Sequence, residues 1–160
     1  MSRPPRLLAV ASTGGHWVQL NRLLPAFVGC EAHFLTTAAD QCDGLLARAR
    51  EAGLDAPGFH LCTDANRNEK LRLLRMFSEI LAVLLKVRPD VVVTTGAAPG
   101  YAALRLGRLM GARTCWIDSI ANAREVSLSG RLAGPHADLF LTQWPEVARP
   151  GGPEFRGAVL

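Results

Sequence analysis

Ala9-Val10-Ala11-Ser12-Thr13-Gly14-Gly15-His16-Trp17 is an apolar run that ends in a double-glycine turn and passes at once into a helical pattern. This spells a strand, a turn and a helix N-terminus. Such a turn offers bare backbone N–H groups and the positive end of a helix dipole to one spot, which suits a phosphate or another anion. Two adjacent glycines permit φ > 0 and let a ligand approach the backbone closely. His16, at the mouth of the turn, is the side chain there whose type exchanges protons near neutral pH. The same spelling also serves a plain strand-to-helix connection.

Outward from this stretch the pattern alternates. Leu7–Ser12, Ala32–Thr37, Phe59–Cys62, Asp90–Thr94, Thr114–Ile117 and Leu139–Thr142 read as strands. Trp17–Phe27, Asp43–Ala52, Lys70–Val87, Tyr101–Met110 and Ser127–Ala133 read as the helices between them, and a Pro/Gly-rich loop precedes Phe155–Leu160. The uninterrupted β-branched run in Asp90–Thr94 is typical of a central parallel strand buried on both faces. The alternation predicts an α/β fold, a Rossmann-like, doubly wound parallel sheet spanning residues 1–160 as a single domain. Ligands of such sheets bind beyond the carboxyl ends of the strands. That edge collects Ser12–His16, Asp64-Ala65-Asn66-Arg67, Thr95–Gly100, Asp118–Glu125 and Gln143-Trp144-Pro145.

Composition removes several classes. A chain of 160 residues with 49% apolar content can bury a real core. Charged residues at 20% are slightly few for a free-standing soluble domain, which suggests surface meant to be covered. A formal charge of +4 suits an anionic membrane surface or a phosphorylated ligand, while no basic run interleaved with aromatics supports a nucleic-acid partner. Cys30, Cys42, Cys62 and Cys115 form no C-x-x-C pair and no zinc spacing with the histidines, so they read as reduced, mostly buried thiols and no metal is expected. No signal peptide and no run of about 20 apolar residues is present.

The opening turn is neither G-x-G-x-x-G nor a P-loop, which disfavours dinucleotide binding and nucleotide hydrolysis. Thr94-Thr95-Gly96-Ala97-Ala98-Pro99-Gly100-Tyr101 repeats the strand–glycine–helix passage, and two such turns on one edge could bracket a diphosphate. Asp118 and Glu125 could each act as a base, hold a hydroxyl, or cap the helix near Ser127. His33, His60 and His136 read as ordinary. In Lys70–Val87, Arg72, Arg75 and Glu79 share a stripe and apolar residues cover the rest. The plainest reading is a deeply packed helix with a narrow solvated stripe. An interfacial membrane patch or a partner interface would show the same pattern.

Ser12–Leu20, Asp64–Arg67, Thr95–Gly100, Trp116–Ser119, Ser127–Leu132, Ala137-Asp138 and Gln143–Pro145 together resemble the bacterial PssD/CpsF-type polysaccharide-biosynthesis proteins. These are similar to the membrane-anchoring subunit of the split dolichol-diphosphate N-acetylglucosaminyltransferase. The resemblance runs from about Leu7 to Leu160. The first turn also resembles the glycine loop of the enzyme that makes peptidoglycan lipid II, with Ser12 in place of a glycine. The resemblance implies the N-terminal, acceptor-binding half of a GT-B glycosyltransferase, completed by a separate donor-binding subunit that holds the UDP-sugar. The implied acceptor is a polyprenyl-diphosphate-linked sugar at the cytoplasmic face of the membrane, in polysaccharide or oligosaccharide biosynthesis.

On that reading His16 is the first candidate base and Asp118 the second. Thr13, Gly14, Gly15, Gly96, Ala97 and Gly100 hold the acceptor diphosphate. Asn66, Arg67, Asn122, Glu125, Gln143 and Trp144 contact acceptor or partner, and Arg72, Leu74, Arg75, Phe77 and Leu81 form a membrane patch. No cofactor is expected, membrane contact is expected to be peripheral, and the subunit alone is expected to be inactive. A non-catalytic adaptor that recruits the catalytic subunit is the alternative.

Overall fold

The computed structural model describes residues 3–66 and 68–159. Its strands are β1 (Arg6–Val10), β2 (Glu31–Thr36), β3 (Gly58–Leu61), β4 (Val91–Thr94), β5 (Arg113–Ile117), β6 (Leu139–Thr142) and β7 (Glu154–Phe155). The helices are α1 (Gly15–Arg22), α2 (Cys42–Glu51), α3 (Lys70–Val87), α4 (Ala97–Leu109) and α5 (Leu128–Ala133). The strands form one parallel sheet in the order β3-β2-β1-β4-β5-β6-β7. The expected α/β doubly wound architecture is therefore present.

Alternation along β1 builds the two sides of the core. Leu7 and Ala9 pack with Trp17, Leu20, Phe34 and Leu45 beneath α1 and α2. Leu8 and Val10 pack with Met76, Ile80, Leu84 and Ala102 beneath α3 and α4. Trp116 joins Leu104 and Ala133 in a smaller cluster. The strand order reverses where β1 lies beside β4, so the two glycine turns leave the sheet from neighbouring strands at the switch point.

Three elements differ from expectation. The first helix ends at Arg22, and Leu24–Phe27 is a 3₁₀ turn with Pro25 in its first turn, because proline cannot donate within a continued helix. Helix α4 begins at Ala97 rather than Tyr101; Pro99 falls in its first turn, where a missing N–H has no helical partner to lose. Glu154–Phe155, which carried no strand signal, pairs with Leu141–Thr142 as β7. All four cysteines are free; Cys62 is buried and the other three are half-buried rather than fully enclosed. Burial pushes the Cys62 thiol up to about 12, so it stays protonated.

Candidate functional site

The two glycine turns meet. Gly14 has φ 74°, ψ −139° and Gly96 has φ 125°, ψ −164°, conformations that side chains beyond glycine rarely adopt. Each immediately precedes a helix. Neither α1 nor α4 has a side-chain cap or an acidic residue in its first turn. The first N–H groups of a helix have no partner within it, so those of Gly15, His16 and Ala97 stand free at the sheet edge. The contrast with α5 is direct: there the Ser127 hydroxyl accepts from the Gly130 N–H. Thr13, Gly14 and Gly15 are exposed, and Ala97, at φ 66°, is half-buried. Gly100 is buried instead, and a Cβ there would overlap the Thr94 hydroxyl, so it packs α4 against β4 rather than facing a ligand.

His16 and Thr95 clasp the turns together. The His16 ring Nδ1 lies 2.7 Å from the Thr95 carbonyl, and the Thr95 hydroxyl donates to the His16 carbonyl at 2.7 Å. A carbonyl only accepts, so Nδ1 carries the proton and neutral His16 presents a lone pair on Nε2. A Cβ on Gly96 would lie 2.8 Å from His16 Cε1, so glycine at 96 makes room for the ring. Thr95, which the sequence reading left without a role, thus fixes both the tautomer and the position of His16.

Asp118 does not present a free carboxylate. It is 2% exposed, and it accepts from Trp116 Nε1 at 3.1 Å, the Ser127 N–H at 2.8 Å and the Ser127 hydroxyl at 2.6 Å. With both oxygens engaged it anchors the start of α5, and its assignment as a second base is corrected to this structural role.

A buried amide pair holds the adjoining loop. Gln19, three residues after His16 and on the buried side of α1, donates to Ser119 Oγ at 3.2 Å. Its Oε1 accepts from the Ile120 N–H at 3.2 Å and from Gln143 Nε2 at 2.5 Å. Gln143 also donates to the Asp118 carbonyl and accepts from the Val159 N–H. Trp144 Nε1 donates to the Ile120 carbonyl at 2.7 Å. Gln143 and Trp144, expected as contact residues, therefore hold loop 119–122 in place. Gln19 was missed because a lone glutamine carries no signal until its partners, 100 and 124 residues away, are known.

The remaining expected contacts divide. Asn66 is exposed but engaged locally, donating to Glu69 Oε2 at 2.6 Å and accepting from the Asn68 N–H ahead of α3. Arg67 lies outside the described residues. Asn122 is half-buried on the loop that Gln19 holds. Glu125 is exposed and lies 3.5 Å from Arg131.

Helix α3 is not deeply packed. Met76, Ile80, Leu84 and Val87 are buried, while Leu71 (82%), Leu74 (68%), Leu81 (38%) and Leu85 (56%) are exposed along its outer side. Phe77 is half-buried and packs on the core, so it leaves the expected patch. Arg72 and Arg75 flank the exposed row, paired at 2.8 Å with Glu69 and Glu79. Arg75, with the Thr63 N–H and hydroxyl, holds the Glu79 carboxyl below its usual range. No described helix is long and apolar enough to cross a membrane.

Residues 70–156 match the family described as "Oligosaccharide biosynthesis protein Alg14 like", which is more than half the chain. The chain belongs to this Alg14-like family. Among its relatives is the mouse UDP-N-acetylglucosamine transferase subunit ALG14, 26% identical over 169 residues, covering 89% of this chain and 76% of the relative. The subunit of the same name from Yarrowia lipolytica is 36% identical over 109 residues, covering 64% of this chain and 46% of the relative. Among solved structures, MurG from Acinetobacter baumannii superposes with a TM-score of 0.76 at 13% identity, covering 98% of this chain and 46% of that one. The Alg14-like chain thus spans under half of MurG, with the Rossmann-like fold of one GT-B half. At that identity the likeness establishes the fold alone.

Proposed function

We propose that the chain is the acceptor-binding subunit of a two-component inverting UDP-sugar glycosyltransferase. Its whole length would form one domain that docks peripherally on the cytoplasmic face of the membrane. The observation that carries this reading is the His16–Thr95 clasp, which joins two uncapped helix N-termini and leaves Nε2 of His16 open. Backbone N–H groups of the Gly14-Gly15 and Gly96-Ala97 turns, with Thr13 beside them, hold the diphosphate of a polyprenyl-linked sugar. Nε2 of His16 takes the proton from the acceptor hydroxyl as its oxygen attacks the anomeric carbon of the UDP-sugar. The bond from that carbon to UDP breaks, and UDP leaves on the donor-binding partner. The relatives' description as transferase subunits supports the need for such a partner. The exposed leucine row of α3, flanked by Arg72 and Arg75, faces the bilayer that retains the acceptor's lipid chain.

The test is turnover of a radiolabelled UDP-sugar by the reconstituted pair. His16→Ala is expected to lower turnover by roughly 10²–10⁴-fold without weakening assembly. Unchanged turnover would remove the base role and leave a recruiting adaptor. Turnover by the purified chain alone would remove the two-component reading.

A further inference from the structure

At the opposite pole from the glycine turns, a cavity of 660 Å³ opens between the carboxyl ends of α3 and α4. Leu84, Leu85 and Met110 supply apolar lining, and Arg88, Asp90 and Arg113 supply the charges. Asp90 is already engaged: Arg3 binds it through two contacts of 2.8 Å, and the Arg6 N–H donates to it at 2.8 Å. Among the described residues, neither Arg88 nor Arg113 makes an ion pair. Arg88 is itself the C-cap of α3, at φ 49°, but it caps through its backbone, and neither guanidinium takes part in closing a helix. The backbone N–H of Arg88 closes α3 onto the Leu84 carbonyl at 2.8 Å, and that of Ala112 bonds the Gly107 carbonyl of α4 at 3.0 Å. The cavity therefore combines an apolar wall with two guanidinium groups whose donors are uncommitted.

Leu85 belongs both to this wall and to the exposed row Leu71, Leu74, Leu81 and Leu85. The cavity is thus continuous with the face assigned to the bilayer. We propose that it is a binding site for one anionic phospholipid, with the phosphate held by Arg88 and Arg113 and an acyl chain along Leu84, Leu85 and Met110. The choice of a lipid rests on the docking reading above. Charge complementarity selects an anionic headgroup: the single acid in the lining is matched by Arg3, so two positive charges remain. Helix α3 would then be fastened along its outer side by the leucine row and at its carboxyl end by a held headgroup.

The probes are dihexanoyl phosphatidylglycerol and dihexanoyl phosphatidylcholine, each as free monomers, titrated into the full chain while amide NMR shifts are followed. Phosphatidylglycerol is expected to shift Leu85, Met110 and Gly111 saturably, and more tightly than phosphatidylcholine. Arg88→Gln/Arg113→Gln is expected to weaken it roughly tenfold or more, whereas Leu74→Glu/Leu81→Glu leaves it unchanged. Equal response to the two lipids, an unaltered affinity in the arginine variant, or inorganic phosphate binding as tightly as the lipid overturns the proposal. Flotation with vesicles of phosphatidylcholine and phosphatidylglycerol tests docking separately, because it depends on Leu74 and Leu81. Loss of the cavity shifts with retained flotation rejects the lipid site alone; retained shifts without flotation reject the docking face alone.

Discussion

Gly96 shows how one backbone angle can control a side chain on another loop. Its φ of 125° lies where a Cβ is strained, and a Cβ there would press on the His16 ring. Gly96→Ala is expected to displace His16, to lower turnover of the reconstituted pair nearly as far as His16→Ala, and to cost about 1–3 kcal/mol of stability. Urea unfolding measured beside turnover separates the two effects. Gln19 offers the complementary case. Gln19→Ala would strip partners from the Ile120 N–H and Gln143 Nε2, costing about 1–3 kcal/mol as buried donors lose their acceptors. A fall of that size in the unfolding free energy obtained from urea titration, with shifted amides at Ile120–Asn122, is the expected result.

At the scale of the element, α3 has two faces with opposite consequences. Ile80 is fully buried, so Ile80→Ala is expected to cost about 2–5 kcal/mol through lost transfer energy and a residual cavity. Leu74 and Leu81 lie on the outer side, 68% and 38% exposed, and Leu74→Glu/Leu81→Glu is expected to leave thermal stability within a few degrees of wild type. The same pair should abolish flotation with anionic vesicles, and flotation by the parent chain should weaken as salt rises. A large fall in Tm for the leucine pair would return those residues to the core.

Across the whole molecule, the edge strand β3 carries a pH-sensitive contact. His60 packs against His33 with ring centroids 5.4 Å apart, and its Nε2 lies 3.1 Å from His33 Nδ1. Burial first, then the nearby His33 and Lys86, lowers His60 to about 4 from the ordinary 6.5. Glu31 touches the far side of His33. Between these values the unfolded chain binds the extra proton, so the contribution is complete above about 6.5 and is lost as pH falls towards 4. His60→Gln, which keeps a hydrogen-bonding amide, is expected to flatten the dependence of Tm on pH in that window. Asp90, held down to about 2 chiefly by Arg3, acts lower: its contribution is present above 3.8 and lost as pH falls through 2.

The sequence by itself determined the order of the first six strands and the five helices, because buried parallel strands require apolar runs and glycine is needed where the chain turns sharply into α1 and α4. It also marked His16 and both turns, since their chemistry is carried by residue type in a local pattern, and it signalled the family through motifs spread along the chain. Tertiary structure decided what those residues do to one another. Asp118 looked free until Trp116 and Ser127 occupied its oxygens. Thr95 and Gln19 gained roles only through partners 79 and about 100 residues away. The apolar arc of α3 read most plainly in sequence as a deeply packed helix, and the structure exposes four of its leucines instead. Which leucines face the sheet depends on how the helix is rotated against β1 and β4, and that is settled by packing between elements rather than by local preference.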